Sequence, residues 1–237
     1  MSLPKINVPL YELTIPSTGK KIKYRPFVVK EEKLLLLALE SEDQDEITNS
    51  IIQIINNCVQ SKINIDELST FDVEYLFLNI RSKSVGEVLE FAITCPDDNE
   101  TQVEVEINID EIQVVKEENH TDTIDLENGY FIKMKYPTMK YIMNRKNTDG
   151  KSIIDSTFEY AVECIDQIYN EEEVWESANS THKELSEFVE NLNTKQYQKL
   201  QNFFNTMPKL KHSVDITNPK TGVKSEVTIE GLANFFA

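Results

Sequence analysis

The sequence has little of the residue types on which catalytic and cofactor-binding motifs depend. Its 237 residues include six glycines, three histidines, three cysteines and one tryptophan. No G-x-x-x-x-G-K-[ST] or G-x-G-x-x-G run occurs, and so few glycines leave little material for a phosphate-binding loop. His120, His182 and His212 fall in polar or terminal segments without a recognisable serine or cysteine partner, so we expect solvated histidines. These absences predict a protein without catalytic activity and without a cofactor.

Positive charge is also scarce. Lysine and arginine number 24 against 41 aspartates and glutamates, which gives a formal net charge of −17. Such a surface repels nucleic-acid phosphates, so we expect no DNA or RNA partner. Two interpretations of the acidic excess stay open: it covers solvated helix faces, or it suits a basic protein partner.

Long apolar runs are missing as well. The longest, Leu34–Leu39, has six residues, whereas a transmembrane helix needs about 20. The start of the chain has no apolar stretch of the kind found in secretory signals. Cys58 and Cys164 lie on apolar faces of predicted helices, which is typical of reduced, buried thiols. We therefore expect a protein made in the cytoplasm, without a membrane-spanning segment.

A metal site is not expected either. Cys95-Pro96 lies in a turn between two predicted strands, as one half of a zinc ribbon would, but Asp98 stands where the second thiolate of that turn belongs. The corresponding later turn has Asn218 and no cysteine. Since zinc needs about four ligands, one thiol is too few. An ancestral ribbon that lost its metal is a hypothesis that fits both turns.

The sequence does contain an internal repeat: four features occur in the same order in its first and second halves. A basic, strand-like run ends in a proline; an apolar helical run with one cysteine follows; a second helical run begins; and a strand ends in Ile-Thr-x-Pro. The four pairs are residues 17–26 and 127–137, 51–58 and 158–164, 68 and 192, and 93–96 and 216–219. A repeat of this length indicates a duplicated domain.

The expected fold is therefore α+β, a tandem duplication of a unit made of a β-hairpin, two to three helices and a closing β-hairpin. The first repeat covers residues 1–114, a charged linker 115–122, and the second repeat 123–237. Residues 170–191 form an acidic insertion that has no counterpart in the first repeat.

Local signals place the elements more closely. A hairpin is predicted over residues 10–24, followed by a helix from Val28 to Glu40 in which four consecutive leucines cannot share one narrow face. That helix is expected to be buried on two sides or to cover a partner. A second hairpin is predicted around Asn128-Gly129, and apolar spacing from Ile153 to Ile168 predicts one amphipathic helix.

Three helix starts are suggested by capping residues. Asp45 is the candidate cap of the helix that contains Ile51 to Cys58. Ser69 with Asp72, and Asn193 with Gln196, have the spacing of a capping box.

Several residues are candidates for contacts with a partner. Lys20, Lys21, Lys23 and Arg25 form a basic run that is either a docking strip or a row of lysines protecting a strand edge. The others are apolar: Leu34 and Leu37 of the leucine run, Trp175 of the acidic insertion, and Leu232, Phe235 and Phe236 at the carboxyl end. Adjacent terminal phenylalanines are costly in water, so they are expected to be buried in the chain's own core or in a partner.

Three stretches resemble the baseplate proteins of T4-like contractile-tailed bacteriophages, specifically hub-associated subunits. They are Leu13-Thr14-Ile15-Pro16-Ser17-Thr18-Gly19; Tyr24-Arg25-Pro26-Phe27 leading into Lys30-Glu31-Glu32-Lys33-Leu34-Leu35; and Gln201-Asn202-Phe203-Phe204-Asn205-Thr206-Met207-Pro208, followed by a terminal hairpin and Gly231-Leu232. The resemblance implies a non-enzymatic protein that helps to build the baseplate hub, with other hub or tail proteins as partners. It would be made in the host cytoplasm, to stay in the virion tail baseplate or to assist assembly only.

The sequence is compatible with two classes of function. The first is a structural or assembly protein of the baseplate hub that acts through protein–protein contacts. The alternative is an acidic binding module, such as a DNA-mimicking inhibitor, that occupies a basic partner and binds mainly by electrostatics. An enzyme is the least favoured, since the sequence has no catalytic constellation.

Overall fold

The computed structural model describes residues 6–145 and 153–231. In chain order the elements are β1 Tyr11–Thr14, β2 Lys21–Tyr24, α1 Val29–Glu40, α2 Gln44–Cys58, α3 Thr70–Val85, β3 Val88–Thr94, β4 Gln102–Asn108, β5 Gln113–Val115, β6 Thr123–Asp125, β7 Phe131–Met134, α4 Met139–Arg145, α5 Ile153–Glu163, β8 Ile165–Tyr169, β9 Val174–Glu176, α6 His182–Glu190, α7 Thr194–Thr206, β10 Lys209–Thr217 and β11 Lys224–Glu230. This mixture of helices and mainly antiparallel strands confirms the α+β class.

The chain folds into two compact units. The split unit consists of Met1–Val115 together with Lys209–Ala237, and the inserted unit is Lys116–Pro208. This division differs from the predicted boundaries at 114 and 123, because the closing hairpin β10–β11 joins the split unit. There β10 pairs with β11 on one side and with β5 on the other, and Lys209 is opposite Val115.

The element order nevertheless runs in parallel through the two predicted repeats. The hairpin β1–β2 corresponds to β6–β7, α1 and α2 to α4 and α5, α3 to α7, and β3–β4 to β10–β11. Even one backbone bond recurs, since Arg25 N–H donates to the Cys58 carbonyl at 3.0 Å and Lys135 N–H to the Cys164 carbonyl at 2.8 Å. β8, β9 and α6 have no counterpart. The duplication itself stays a prediction.

The core of the split unit is organised around α3. Phe71, Leu76, Phe77, Leu78 and Ile80 are almost completely buried, so this helix is enclosed on most of its circumference. The inserted unit has its own core, in which apolar side chains of the sheet β6-β7-β8-β9 pack against α5, α6 and α7. The three cysteines are buried and unbonded, and burial raises the pKa of Cys58 to about 11 and that of Cys164 to about 12. These thiols are therefore protonated and unreactive at neutral pH.

The predicted amphipathic helix from Ile153 to Ile168 is wrong in its second part. The helix α5 ends at Glu163, and residues 165–169 form β8, which pairs with β7. Lys133 is opposite Gln167, whereas the next residue, Met134, is opposite Ile165. Asp166 of β8 therefore has no partner residue on β7, which defines a β-bulge. Because the bulge adds a residue, Ile165 and Ile168 both reach the core. A bulged strand thus produces the same three-residue spacing as a helix.

The capping predictions have mixed outcomes. The Asn193–Gln196 capping box at the start of α7 is present. The cap of α2 is Asp43, whose carboxylate accepts the amides of Asp45 and Glu46, so the assignment to Asp45 is wrong. The start of α3 at Ser69 is correct, but the Ser69 side chain accepts no amide there.

Instead, Ser69 donates its hydroxyl to the carboxylate of Asp72, which is completely buried. Asp72 also accepts the Ser17 hydroxyl, and the Ser17 amide at 3.0 Å. A buried carboxylate needs such donors, because water no longer solvates it. This cluster therefore fixes the β1–β2 turn to the first turn of α3.

The Cys95 turn is joined to the β10–β11 turn by hydrogen bonds and one ion pair. Asn218 donates its side-chain amide to both carboxylate oxygens of Asp97, at 3.0 and 3.1 Å, and the Thr221 hydroxyl donates to the same group. Lys220 pairs with Glu100 at 3.3 Å. Hydrogen bonds thus join the two hairpin turns in which the lost-ribbon hypothesis places the former ligands.

His120 is not the solvated side chain that its polar neighbourhood predicts. It is 8% exposed, with Nδ1 at 2.9 Å from the Thr206 hydroxyl and Nε2 at 3.1 Å from the Tyr136 hydroxyl. Its ring also lies against Phe203. Burial lowers the pKa of the His120 imidazole below its ordinary value, and the nearby charge of Lys116 acts in the same direction. The structure therefore favours the neutral ring.

The Asp72 cluster generates a stability prediction. Asp72→Ala should lower the free energy of unfolding by about 3 kcal/mol, because it leaves the buried hydroxyl of Ser69 without an acceptor and releases the Ser17 turn from α3. Asp66→Ala, at an exposed carboxylate, should change it by less than about 0.5 kcal/mol. Urea unfolding monitored by circular dichroism measures both; equal effects would contradict a special role for Asp72.

His120 generates a pH prediction. The unfolded histidine binds a proton near pH 6.5, whereas the folded one binds it only at lower pH, so the unfolded state holds more protons in between. The contribution of His120 to stability should be complete above about pH 7.5 and should decrease as the pH falls through about 6.5. Thermal unfolding across this range should show a slope that His120→Gln removes and that His182→Gln, at an exposed position, retains.

Candidate protein-interaction surfaces

The basic run lies on the hairpin β1–β2. Lys21 and Lys23 of β2 point outward, while the alternating residues Ile22 and Tyr24 are buried. Lys23 pairs loosely with Glu12 at 3.6 Å, and Lys20 donates to the Lys62 carbonyl at 3.1 Å. These three lysines remain largely exposed and accessible to a partner.

The outer edge of β2 is already covered by the chain. Tyr24 forms a bridge with Val59, the Gln60 amide donates to the Lys23 carbonyl at 2.8 Å, and the Lys23 amide donates to the Ser61 hydroxyl at 2.8 Å. Exposed lysines protect strand edges that lack such cover. The arrangement therefore supports the docking interpretation over edge protection.

Arg25, the fourth residue of the basic run, is bound to another residue of the split unit. It forms an ion pair of 3.0 Å with Glu31, a residue with 2% exposure. Burial opposes ionisation of Glu31, but the Arg25 guanidinium and the Val28 amide outweigh it and hold the pKa of Glu31 below its ordinary value. Since this pair fixes the first turn of α1 to β2, we interpret Arg25 as a structural residue.

Helix α1 has an exposed apolar face. Its inner side is formed by Glu31 and Ala38, with Leu34 only half-buried, so the described part of the chain does not bury the helix on two sides. The exposed fractions are 77% for Val29, 59% for Leu36 and 54% for Leu37. Because Val29 and Leu36 are seven residues apart, they share one side of the helix, which Leu37 and Leu39 flank. We call Val29, Leu36, Leu37 and Leu39 the α1 face.

The inserted unit carries a second surface, a groove of about 540 Å³ between β9 and α6. Trp175 lies directly opposite Ile168 in the paired strands β8 and β9, and its ring is 6.1 Å from that of Tyr130. Residues of this groove, which we call the α6 groove, are Tyr130, Ile168, Trp175, Asn179, Ser180, Glu184, Leu185 and Phe188. Trp175 is therefore part of a concave apolar surface and does not stand alone.

Helix α6 is held in place by a capping box at Thr181. The Thr181 amide and hydroxyl both donate to the Glu184 carboxylate at 2.7 Å, and the Glu184 amide donates back to Thr181. The bond from the Thr181 amide lowers the pKa of Glu184, so this carboxylate at the groove stays ionised. The "acidic insertion" is thus an ordered strand–helix element.

Sequence reasoning identified Leu37 and Trp175 but missed most of both surfaces. The seven-residue spacing of Val29 and Leu36 is a signal in the sequence, because it places both side chains on one side of a helix. Tyr130, Leu185 and Phe188 gave no signal, because they come together only after β9 and α6 fold back on the sheet. Leu232, Phe235 and Phe236 lie outside the described residues.

Two classes of site receive no support within residues 6–145 and 153–231. No group of three or more His, Cys, Asp or Glu side chains there is arranged to hold a metal ion. The helices in the same ranges are too short or too polar to cross a lipid bilayer.

An α+β chain with exposed apolar surfaces has the properties of a component that binds other proteins. Residues 8–237, nearly the whole chain, match the family described as T4 bacteriophage base plate protein, and the chain belongs to this family. The predicted resemblance to T4-like baseplate proteins is thereby confirmed, while its assignment to the hub stays a prediction. Membership implies a structural component of the phage tail with other tail proteins as partners. No curated protein and no solved structure matches the chain significantly.

The exposure of the α1 face yields a prediction about the isolated protein. Leu36→Ser/Leu37→Ser should lower the free energy of unfolding by less than about 1 kcal/mol, since these side chains lose little burial. Leu76→Ser, at a completely buried position, should cost about 3 kcal/mol or more. Urea denaturation compares the two, and a similar cost for both would mean that the α1 face is covered by the chain itself.

Proposed function

We propose that the protein is a non-enzymatic structural or assembly component of the central hub of the tail baseplate and that it acts through protein–protein contacts. Family membership supports the baseplate role, and the α1 face is the observation that carries the mechanism. Lys20, Lys21, Lys23, Leu34, Leu37 and Trp175, with Leu232, Phe235 and Phe236, are the proposed contact residues.

Energetics favour apolar burial as the main attraction. A leucine or valine side chain that passes from water into a packed interface contributes about 1.5–3 kcal/mol. The α1 face presents four such side chains, of which Val29, Leu36 and Leu37 are more than half exposed. Their burial against one partner would contribute several kcal/mol, enough to matter for affinity after the entropy of association is subtracted.

The two predicted repeats present different chemistry to their surroundings. The first carries the lysines of β1–β2 and the α1 face, and the second carries the α6 groove. We propose that this difference lets one chain join two dissimilar neighbours, as a hub component must.

The acidic binding module remains the second candidate because of the net charge of −17. Its complexes would be held by charge and would dissociate at high salt. Complexes of a hub component that buries the α1 face would persist, because salt does not weaken apolar burial.

The test is co-expression with the other tail proteins of the same phage, followed by purification and mass analysis of the complexes. We expect a defined complex that survives about 1 M NaCl, where the Debye length is about 3 Å. Leu36→Ser/Leu37→Ser should reduce its yield at least about tenfold, whereas Val85→Ser, an exposed apolar residue on α3, should not.

Three results would contradict the proposal. Capture of no tail protein would remove the hub role. A complex that dissociates in high salt would favour the acidic module. A complex of unchanged yield in the leucine variant would exclude the α1 face as the contact.

A further inference from the structure

We propose that the α6 groove binds a segment of a partner protein in which an apolar side chain is flanked by lysine or arginine. This inference rests on the proposed function, since it specifies the chemistry of one contact. It commits to a basic–apolar segment because the groove combines an apolar interior with an acidic border.

The interior of the groove is suited to an apolar anchor. Ile168 forms the buried floor at 6% exposure, Leu185 and Phe188 are half-buried, and Trp175 and Tyr130 stand at the margin, each more than a third exposed. Aromatic side chains at such margins lose little conformational entropy when they enclose a ligand. A volume of about 540 Å³ accommodates one or two large side chains and excludes a folded domain.

Glutamates border the groove, and one of them, Glu184, is among its lining residues. Residues 170–191, which supply β9 and α6, contain seven glutamates and one lysine. Glu173 immediately precedes β9, and its carbonyl accepts the Asn170 amide at 3.0 Å, so the β8–β9 pairing continues to it. Since residues two apart in a strand project to the same side, we expect Glu173 on the side of Trp175. The single lysine, Lys183, is paired with Glu187 at 3.6 Å, and Lys135 donates to the Ser177 hydroxyl at 3.4 Å. A basic segment would therefore be attracted.

A second copy of this chain fits the α6 groove less well than a basic–apolar segment of another protein, for reasons of charge and of exposed apolar side chains. Each copy carries a net charge of −17, so two copies repel each other. The basic run of β2 has the required lysines, but its apolar side chains Ile22 and Tyr24 are 1% and 2% exposed. It offers no free anchor for the groove.

The single tryptophan makes occupancy directly measurable. The probe is a blocked hexapeptide in which leucine and phenylalanine are flanked by two arginines on each side. We expect it to shift the Trp175 emission to shorter wavelength and to bind at least about tenfold more tightly than a peptide with glutamates at the flanks. A third peptide, with serines in place of leucine and phenylalanine, should also bind at least about tenfold more weakly, because both chemistries are required.

Variants test the residues by anisotropy of the same arginine peptide labelled with fluorescein. Trp175→Ser should lose at least about tenfold in affinity, and Trp175→Phe should recover most of it. Glu172→Lys/Glu173→Lys should reverse the preference between arginine and glutamate peptides. The matched control is Glu104→Lys/Glu106→Lys on β4 of the split unit, which changes the net charge equally and should leave the preference unchanged.

Four results would overturn the proposal. The arginine and glutamate peptides bind alike, or neither binds at millimolar concentration. The β4 control loses as much affinity as the groove variant, which would show general charge attraction. Sedimentation shows a dimer that Trp175→Ser dissolves, which would make a second copy the occupant. Co-expressed tail proteins are captured equally by Trp175→Ser, which would remove the groove as a contact while leaving the hub role in place.

Discussion

The pairing of β10 with both β5 and β11 is the constraint on which the architecture depends. It returns the chain to the split unit at the end of the inserted unit, because Lys209 is held opposite Val115. The inserted unit therefore leaves and re-enters at one paired position, as tolerated domain insertions do. Loop-closure entropy grows only slowly with length, so a closed segment of this size costs little more than a short loop. The same pairing positions Asn218 in the turn of β10–β11, where it binds Asp97.

Three buried polar side chains hold secondary-structure elements together. Asp72 joins the first turn to α3, Glu31 joins α1 to Arg25, and His120 joins Thr206 to Tyr136 within the inserted unit. Each has donors or acceptors from its own unit, as burial requires. These three groups are occupied in holding elements together. The proposed contacts lie instead on the surface, in side chains that the described part of the chain leaves exposed.

The α1 face and the α6 groove are two such exposed surfaces, and they differ in shape and in chemistry. The α1 face is a convex row of aliphatic side chains on a helix whose inner side is fixed by Glu31 and Ala38. The α6 groove is concave, aromatic and bordered by glutamates. A convex aliphatic face suits a groove or sheet on a neighbour, whereas a small acidic groove suits a short basic–apolar segment. A baseplate component that contacts unlike proteins gains specificity from such a difference, because each surface rejects the ligand of the other.

Sequence alone determined the features that depend on neighbouring residues. It determined the hairpins at Ser17-Thr18-Gly19 and Asn128-Gly129, the capping box of Asn193 and Gln196, the helical span of the leucine run and the buried state of Cys58 and Cys164, because turns, caps and periodicity act over about four residues. Only the tertiary structure decided that β10–β11 joins the split unit, that Ile165 and Ile168 lie in a bulged strand, that Arg25 and His120 are committed internally, and that Tyr130, Trp175 and Phe188 form one groove. Each of these depends on partners far apart in the chain, and local spacing carries no information about which distant segment supplies them.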